Sequence, residues 1–254
     1  MKWGLHNICK TLRFINEEAS SVHGNVRVSS VFTSESGEWK LAGLELVSSM
    51  KEDDAVIYVS RALVRQGLEA HITWQTYGSV VPDSGRYAPP EVAKGGWDSI
   101  KRGPVSAVDA YNYGILITEA FNGSFSGSDQ IGTTKAIPLD MHASYKRLVS
   151  ANPKTRLSTG HFLEQGKRSG AFFDTPLIQL SDGIENLGLK SETEREEFFK
   201  YVCTLRTAQG DETDTLAVSL MWLQRQTTSQ KISSRSRCFQ NFSNQPNSVE
   251  EELE

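Results

Sequence analysis

The side chains that could do chemistry stand in one short loop, residues 23–30, which begins His-Gly-Asn. His23 could act as a general base only if an oriented acid or a nucleophile lay beside it. Asn25 carries a neutral amide that cannot accept a proton near neutral pH, so general-base catalysis at this position is excluded. Gly43, further along, has no side chain that could bind a metal ion.

Two short strands after the start of the loop would hold it in place. Val26, Val28 and residues 31–32 supply the apolar first strand, and residues 34–37 form a turn. Residues 39–41, Trp-Lys-Leu, alternate between apolar and polar side chains as a half-buried second strand does. The pattern predicts a β-hairpin that leads towards Gly43.

The loop and hairpin resemble the catalytic segment of protein kinases, where His-Arg-Asp-Leu-x-x-x-Asn precedes two short strands and Asp-Phe-Gly. In kinases the first Asp orients the substrate hydroxyl, while the Asn and the second Asp hold magnesium. The resemblance places Asn25, Ser30 and Gly43 at these three positions. It also implies that His23 is a structural residue that packs beneath the loop, with a catalytic base as the alternative.

Three later stretches follow in the order that kinases have. Residues 87–92, Tyr-Ala-Pro-Pro-Glu-Val, resemble the Ala-Pro-Glu motif that closes the activation segment. Residues 109–114 resemble the Asp-x-Trp-x-x-Gly start of the central helix. Residues 152–156, Asn-Pro-Lys-Thr-Arg, resemble the element whose Arg pairs with the Ala-Pro-Glu carboxylate.

The resemblance implies two structural contacts. Glu91 and Arg156 would form a bidentate carboxylate–guanidinium pair, for which the planar Arg side chain is suited. Asp109 would accept backbone N–H groups near His23 and Gly24, because a buried acid needs such partners. Both contacts would serve the architecture of the fold.

Within the kinases, four stretches are similar to the Scyl-type family, the N-terminal kinase-like pseudokinases: 23–26, 37–43, 82–87 and 173–177. The resemblance covers roughly residues 3–200. It implies a kinase-shaped domain followed by helical repeats, in a non-catalytic adaptor of coat-dependent Golgi traffic and, in fungal members, of tRNA export. We therefore expect coat or trafficking proteins as partners, with tRNA or tRNA-handling proteins as further candidates. The expected location is cytoplasmic, with Golgi or nuclear-pore association.

The fold class that we predict is mainly α (α+β), the large lobe of a protein-kinase-like fold over residues 1–170. Leu5, Ile8, Leu12 and Ile15 recur at helical spacing and predict the helix that precedes the loop. No Gly-rich loop, phosphate-binding Lys or partner Glu comes before this helix, so we expect the small lobe to be absent. The apolar surface that normally faces the small lobe would then be exposed.

Further helices are expected along the rest of this lobe. Residues 106–121 are apolar nearly all round, which is typical of a buried central helix. Residues 139–150 form another helix, and one more begins at 162–163. The Gly/Ser-rich stretch 123–132 follows a helix and lacks a Lys-Ser/Thr ending, so it is no phosphate-binding loop. Residues 171–200 form a helical linker towards a missing repeat region.

Two segments have no counterpart in the resemblance. Residues 59–75 interrupt the activation segment and represent either an inserted loop or a retained intron. Residues 201–254 are rich in Ser, Thr, Gln and Asn and end in acidic residues, a composition that favours disorder. We interpret this tail as frameshifted or read from an intron. We expect at best one short helix there, near residues 216–223, and therefore no repeat array, which needs several stacked units.

The overall composition is that of an ordinary protein with one principal domain, with 38% apolar and 23% charged residues. The net charge of −4 argues against a general polyanion-binding surface. The cysteines, Cys9, Cys203 and Cys238, are odd in number and far apart, which indicates neither a disulfide framework nor a zinc site. We find no secretory signal and no run of apolar residues that would span a membrane.

The favoured function is that of a non-catalytic pseudokinase with no catalytic residue, no cofactor and no metal. One alternative is an active kinase with ATP-binding and phosphotransferase activity that works through unusual residues. It would need a phosphate-binding Lys and a metal-binding acid, and neither can be named here. A second alternative is a weak tRNA-binding module.

Overall fold

The computed structural model of the protein describes residues 1–51 and 83–208. The predictions for residues 59–75 and for 209–254 lie outside these ranges. The chain divides into two compact units, Met1–Asp174 and Thr175–Glu254. Among the described helices, none has the length and apolar character needed to cross a membrane.

The first unit is rich in helices and has a few short antiparallel strands. Its α-helices are α1 (Lys2–Arg13), α2 (Ser84–Tyr87), α3 (Pro90–Gly95), α4 (Ala107–Asn122), α5 (His142–Leu148) and α6 (Thr159–Gly166). A π-helical turn, Phe14–Glu18, continues α1. Its 3-10 turns are Val28–Ser30, Leu44–Leu46, Trp97–Arg102, Ser128–Gln130 and Leu139–Met141. This content is compatible with the predicted mainly helical, kinase-like lobe.

The strands form two small antiparallel sheets. They are β1 (Ser21–Val22), β2 (Val31–Thr33), β3 (Trp39–Leu41) and β4 (Ser48–Ser49). β1 pairs with β4, and β2 pairs with β3 in a register that places Val31 opposite Leu41 and Phe32 opposite Lys40. Both sheets lie around the loop that begins at His23.

The hairpin β2–β3 is shorter than predicted on its first side. Val26 and Val28 lie outside β2, since Val28–Ser30 forms a 3-10 turn before the strand begins. The turn forms because the Ser30 side chain bonds to the backbone of Arg27. The connection to β3 is closed by a bond from Gly37 N to Ser34 O, with Gly37 at a φ of +80°.

The core of the first unit is built around α1 and α4. Leu5, Ile8 and Leu12 are fully buried on one side of α1, as the helical spacing predicted. α4 is buried over its first three turns, and the Tyr113 hydroxyl donates a hydrogen bond of 2.8 Å to Leu5 O. Gly114 lets α4 approach Val149 closely, because an added Cβ would lie 2.5 Å from a Val149 methyl carbon. α4 therefore forms the buried centre that the apolar stretch predicted.

Two helix boundaries differ from the predicted ones. The segment 139–150 is divided, with a 3-10 turn at Leu139–Met141 and α5 ending at Leu148. α6 begins at Thr159, earlier than the predicted start at Phe162. The earlier start has a local cause, because the Ser158 side chain caps the helix by accepting a hydrogen bond from His161 N.

The second unit begins with two helices, α7 (Pro176–Glu185) and α8 (Glu192–Ala208), separated by a 3-10 turn at Leu187–Leu189. Thr175 caps α7 by accepting a hydrogen bond from Ile178 N. Ser191 and Glu194 form a reciprocal capping pair at the start of α8, in which Glu194 N donates to Ser191 Oγ. The hydrogen bonds that Ser191 Oγ and Ser191 N donate to Glu194 Oε2 lower the pKa of Glu194. The described core of this unit consists of Leu180, Leu187, Phe198, Phe199 and Val202.

The described part of α8 corrects the predicted start of the disordered tail. The helix continues through residues 201–208, where we expected disorder from residue 201 onward. Val202 is buried against Phe198 and Phe199, so the apolar side chains continue at helical spacing beyond the charged start of α8. Packing of this apolar face explains why a segment rich in polar residues is helical here.

Candidate functional site

A fully buried carboxylate, Asp109 in the first turn of α4, holds the start of the loop. One of its oxygens, Oδ2, accepts a hydrogen bond of 2.8 Å from His23 N. The other, Oδ1, accepts a bond of 2.7 Å from Gly24 N, and Gly24 has a φ of +73°. Because both oxygens are bonded, the buried acid is satisfied and the loop 23–30 is tied to the central helix.

Asn16 adds a third donor to this arrangement. Its Nδ2 donates to Asp109 Oδ2 at 2.6 Å and to Ser21 O at 3.0 Å. Its Oδ1 accepts a bond of 3.2 Å from the Thr159 hydroxyl at the start of α6. Asn16 lies in the π-helical turn Phe14–Glu18, a type of turn that often occurs at functional sites. It therefore connects α6, the loop and α4.

His23 is fully buried, and backbone groups occupy both of its ring nitrogens. Nδ1 accepts a bond of 3.2 Å from Asn25 N, and Nε2 lies 2.9 Å from Ala42 O. The neutral tautomer with its proton on Nε2 fits both contacts. This ring supports the loop against the residue that follows β3, which is a structural use of the histidine.

The hydroxyl of Ser30 is used within its own turn. Ser30 is buried, and its Oγ donates to Arg27 O at 2.8 Å and accepts from Arg27 N at 3.1 Å. Its backbone carbonyl accepts a bond of 2.7 Å from Ala42 N. These contacts close the 3-10 turn and join it to the end of β3.

Gly43 lies next to Asn25 and His23, so the structure brings these three residues together. An added Cβ at position 43 would lie 3.6 Å from Asn25 Nδ2 and 3.6 Å from His23 Cε1. Gly43 has a φ of +84°, a backbone conformation that glycine adopts readily and that Asp and Asn tolerate best among the other residues. The described residues contain no group of three or more His, Cys, Asp or Glu side chains that could hold a metal ion.

A second polar contact joins Glu91 in α3 to Arg156, which lies between α5 and α6. Arg156 donates from Nη1 to Glu91 Oε1 at 2.7 Å and from Nη2 to Glu91 Oε2 at 2.9 Å. It also donates to Ala107 O at 2.7 Å and to Ser150 O at 2.9 Å, and its Cζ lies 4.9 Å from the centre of the Tyr111 ring. The bidentate pair thus fixes α3 against the start of α4.

The sequence has recognisable relatives. A comparison with the known protein-family models finds no match. The probable inactive serine/threonine-protein kinase scy1 of Dictyostelium discoideum is 28% identical over 200 residues, which are 79% of this chain and 22% of that protein. The protein kinase domain-containing protein ppk3 of Schizosaccharomyces pombe is 25% identical over 193 residues, which are 76% of this chain and 26% of that protein. The mouse protein named protein-associating with the carboxyl-terminal domain of ezrin is 28% identical over 202 residues, which are 78% of this chain and 23% of that protein.

The chain is a homologue of the Scyl-type, kinase-like proteins. The family resemblance predicted from the sequence is therefore confirmed. The chain spans about a quarter of the length of the curated relatives that it matches.

The first unit contains a further contact that sequence reasoning missed. The Tyr87 hydroxyl donates to Glu119 Oε1 at 2.7 Å, and Val28 N donates to Glu119 Oε2 at 2.9 Å. Asn112 Nδ2 also donates to Tyr87 O at 2.7 Å. Burial and the neighbouring Glu119 carboxylate raise the pKa of Tyr87, which favours the protonated hydroxyl that donates to Glu119. The one available signal was Glu119, a second acid beside Asp109 in a mostly apolar helix.

Several large apolar side chains of the lobe are exposed beside the loop. Val28, Phe32 and Leu44 are 47%, 55% and 57% exposed. Val28 lies in the 3-10 turn, Phe32 is in β2, and Leu44 follows Gly43 directly. The surface around Asn25, Ser30 and Gly43 thus presents large apolar side chains to the solvent.

Proposed function

We propose that this chain is a non-catalytic, kinase-like lobe that acts as part of a scaffold or adaptor protein. The observation that carries the proposal is the geometry at Asn25, Ser30 and Gly43. Phosphoryl transfer in kinases needs a base for the substrate hydroxyl and oxygen ligands for magnesium. At the position next to Gly43, this chain has the neutral amide of Asn25, which cannot take up the proton.

The two positions that correspond to metal ligands support the same proposal. Gly43 has no side chain, and the Ser30 hydroxyl is bonded to both backbone groups of Arg27. These bonds use the proton and one of the two lone pairs of the Ser30 hydroxyl within its own turn. The name of the Dictyostelium relative, a probable inactive kinase, agrees with a degenerate site.

The architectural contacts of the lobe are present beside these changes. Asp109 is bonded to the start of the loop, and Arg156 is bonded to Glu91. A chain that keeps the groups that shape the loop and lacks the groups that catalyse is suited to binding through its surface. The exposed side chains of Val28, Phe32 and Leu44 offer apolar contact area for such binding.

The finer roles follow from the family resemblance. We propose protein partners from coat or trafficking machinery, with tRNA or tRNA-handling proteins as further candidates. The proposed location is cytoplasmic, with association to Golgi membranes or nuclear pores through those partners. These proposals concern the longer protein that such a lobe would belong to.

A complementation experiment distinguishes a structural role of the lobe from a catalytic one. Cells that lack the protein receive the wild-type gene, an Asn25→Ala variant or a Glu91→Ala variant, and growth and secretion are compared. We expect Asn25→Ala to restore both as the wild type does, and Glu91→Ala to fail because the lobe is destabilised. Loss of function in an Asn25→Ala protein that melts like the wild type would contradict the non-catalytic role.

A further inference from the structure

Tyr87 differs from the other tyrosines that the first unit describes. Tyr111, Tyr113 and Tyr145 are 4%, 0% and 0% exposed, whereas Tyr87 is half-buried at the end of the four-residue helix α2. The preceding residues of this helix, Gly85 and Arg86, are exposed. Within the first unit's described residues, Tyr87 is therefore the tyrosine that a modifying enzyme can reach with the least local opening.

Two guanidinium groups flank the Tyr87 ring. The Cζ of Arg27 lies 5.1 Å and the Cζ of Arg86 lies 5.4 Å from the ring centre. Asp83 is the acid paired with Arg86, at 3.3 Å, but both side chains of this pair are well exposed. Exposed pairs of this kind are weak, so the Arg86 guanidinium can exchange Asp83 for a stronger anion.

The Tyr87 hydroxyl contacts an anionic group, the Glu119 carboxylate. It donates to Glu119 Oε1, while Glu119 Oε2 accepts from Val28 N in the loop. One carboxylate thus connects α2 to the turn at Val28–Ser30. A change at the Tyr87 hydroxyl would act directly on this connection.

We propose that Tyr87 is a phosphorylation site, and that its modification releases α2 from Glu119 and transfers the Tyr87 side chain to Arg27 and Arg86. The phosphoryl donor is a nucleoside triphosphate, and the catalyst is a separate tyrosine-directed protein kinase. The bond between the γ-phosphorus and the β,γ-bridging oxygen breaks, and a bond from that phosphorus to Tyr87 Oη forms. The phenolic proton leaves to the base of the modifying kinase, and the nucleoside diphosphate is the other product.

Electrostatics gives the modified side chain its direction of movement. A phosphotyrosine carries a charge of about −1.5 to −2 near neutral pH and has three acceptor oxygens. It can no longer donate to Glu119, and the two anions repel each other. Arg27 and Arg86 place positive charge beside the Tyr87 ring, and each can form charge-assisted hydrogen bonds to phosphate. The inference does not depend on the proposed adaptor role.

The test begins with the full chain, Mg-ATP and a broad-specificity tyrosine kinase, followed by mapping of the modified residues by mass spectrometry. Tyr201 in α8 is half-buried as well and serves as the internal reference. We expect Tyr87 to be modified at least as fully as Tyr201, and no modification at position 87 in Tyr87→Phe. Modification of Tyr201 without Tyr87 would overturn the proposal.

The second arm locates the phosphate by phosphorus NMR. In the modified protein we expect the second pKa of the Tyr87 phosphate to lie below that of free phosphotyrosine, about 6, because the arginines stabilise the dianion. In Arg27→Gln/Arg86→Gln this lowering should disappear. A phosphate pKa above the free value would mean that the group stays beside Glu119, and the proposed movement would then be wrong.

Discussion

The two terminal nitrogens of Arg156 donate hydrogen bonds of 2.7 and 2.9 Å to the two carboxylate oxygens of Glu91, which lies 65 positions earlier in the chain. The Arg156 side chain is 0% exposed and that of Glu91 is 15% exposed. The remaining Arg156 contacts, to Ala107 O and Ser150 O, leave the guanidinium bonded on several sides. Loss of Glu91 would leave this cation buried without its counter-charge.

The first prediction concerns the stability of Glu91→Ala. Breaking a buried ion pair by removing one partner costs about 3–5 kcal/mol, a large share of a typical domain's stability. We expect the free energy of unfolding in urea to fall by about this amount. The control is Lys40→Ala, which removes the exposed pair with Glu38 and should change stability by less than about 1 kcal/mol. Equal stability of Glu91→Ala and Lys40→Ala would refute the structural role of the pair.

A second prediction concerns Asn16→Asp. The substitution replaces a donor that lies 2.6 Å from Asp109 Oδ2 by a second carboxylate in a buried site. We expect a loss of roughly 3 kcal/mol at neutral pH, which becomes smaller at acidic pH because protonation of one carboxyl restores a donor. Asn7→Asp, at a half-buried position on the preceding helix α1, is the matched control. A pH-independent penalty, or equal effects at both positions, would argue against the network around Asp109.

The third prediction concerns alkaline pH. Burial raises the pKa of the Cys9 thiol from 9.0 to about 12, and its Sγ donates to Thr159 O at 3.2 Å. Above pH 9.0 the unfolded chain ionises this thiol while the folded chain does not. The unfolded state then binds fewer protons, so stability falls as pH rises towards 12. Cys9→Ala should show a shallower fall in melting temperature over this range, and an unchanged slope would contradict the assignment.

The fourth prediction concerns tRNA. With a net charge of −4, any affinity would come from scattered Lys and Arg side chains that release counterions. We expect weak binding at about 50 mM salt that is lost at about 200 mM. A gel-shift titration at both concentrations checks this, with heparin as a competitor. A complex that survives the higher concentration would favour a dedicated tRNA-binding surface.

The residues that could be interpreted from sequence are those with local patterns. The apolar residues of α1 recur at helical spacing, and those of α4 form a nearly continuous run. The motifs, which follow in the order found in kinases, indicated the resemblance to the Scyl-type family. Asn16 gave no such signal, because it lies in a π-helical turn and contacts Asp109, 93 positions away. Tyr87 and Glu119 are joined only by tertiary packing.

Local hydrogen bonds explain the smaller differences from the predicted elements. The apolar residues before β2 favoured a longer strand, but the Ser30 hydroxyl competes for the backbone and forms a 3-10 turn. Ser158 starts α6 earlier than its apolar residues indicated, since a capping side chain sets the helix boundary. In α8, burial of Val202 extends a helix into a segment whose composition favoured disorder.

The central claim, a kinase-like lobe without catalysis, is tested most directly by a phosphoryl-transfer assay. The purified chain is incubated with γ-labelled ATP and magnesium, with and without a generic protein substrate, beside a matched Asn25→Ala variant. We predict that incorporation of label is the same for both proteins and equals the background without protein. Incorporation by the wild-type chain that clearly exceeds that of Asn25→Ala would show that position 25 supports catalysis and would contradict the claim.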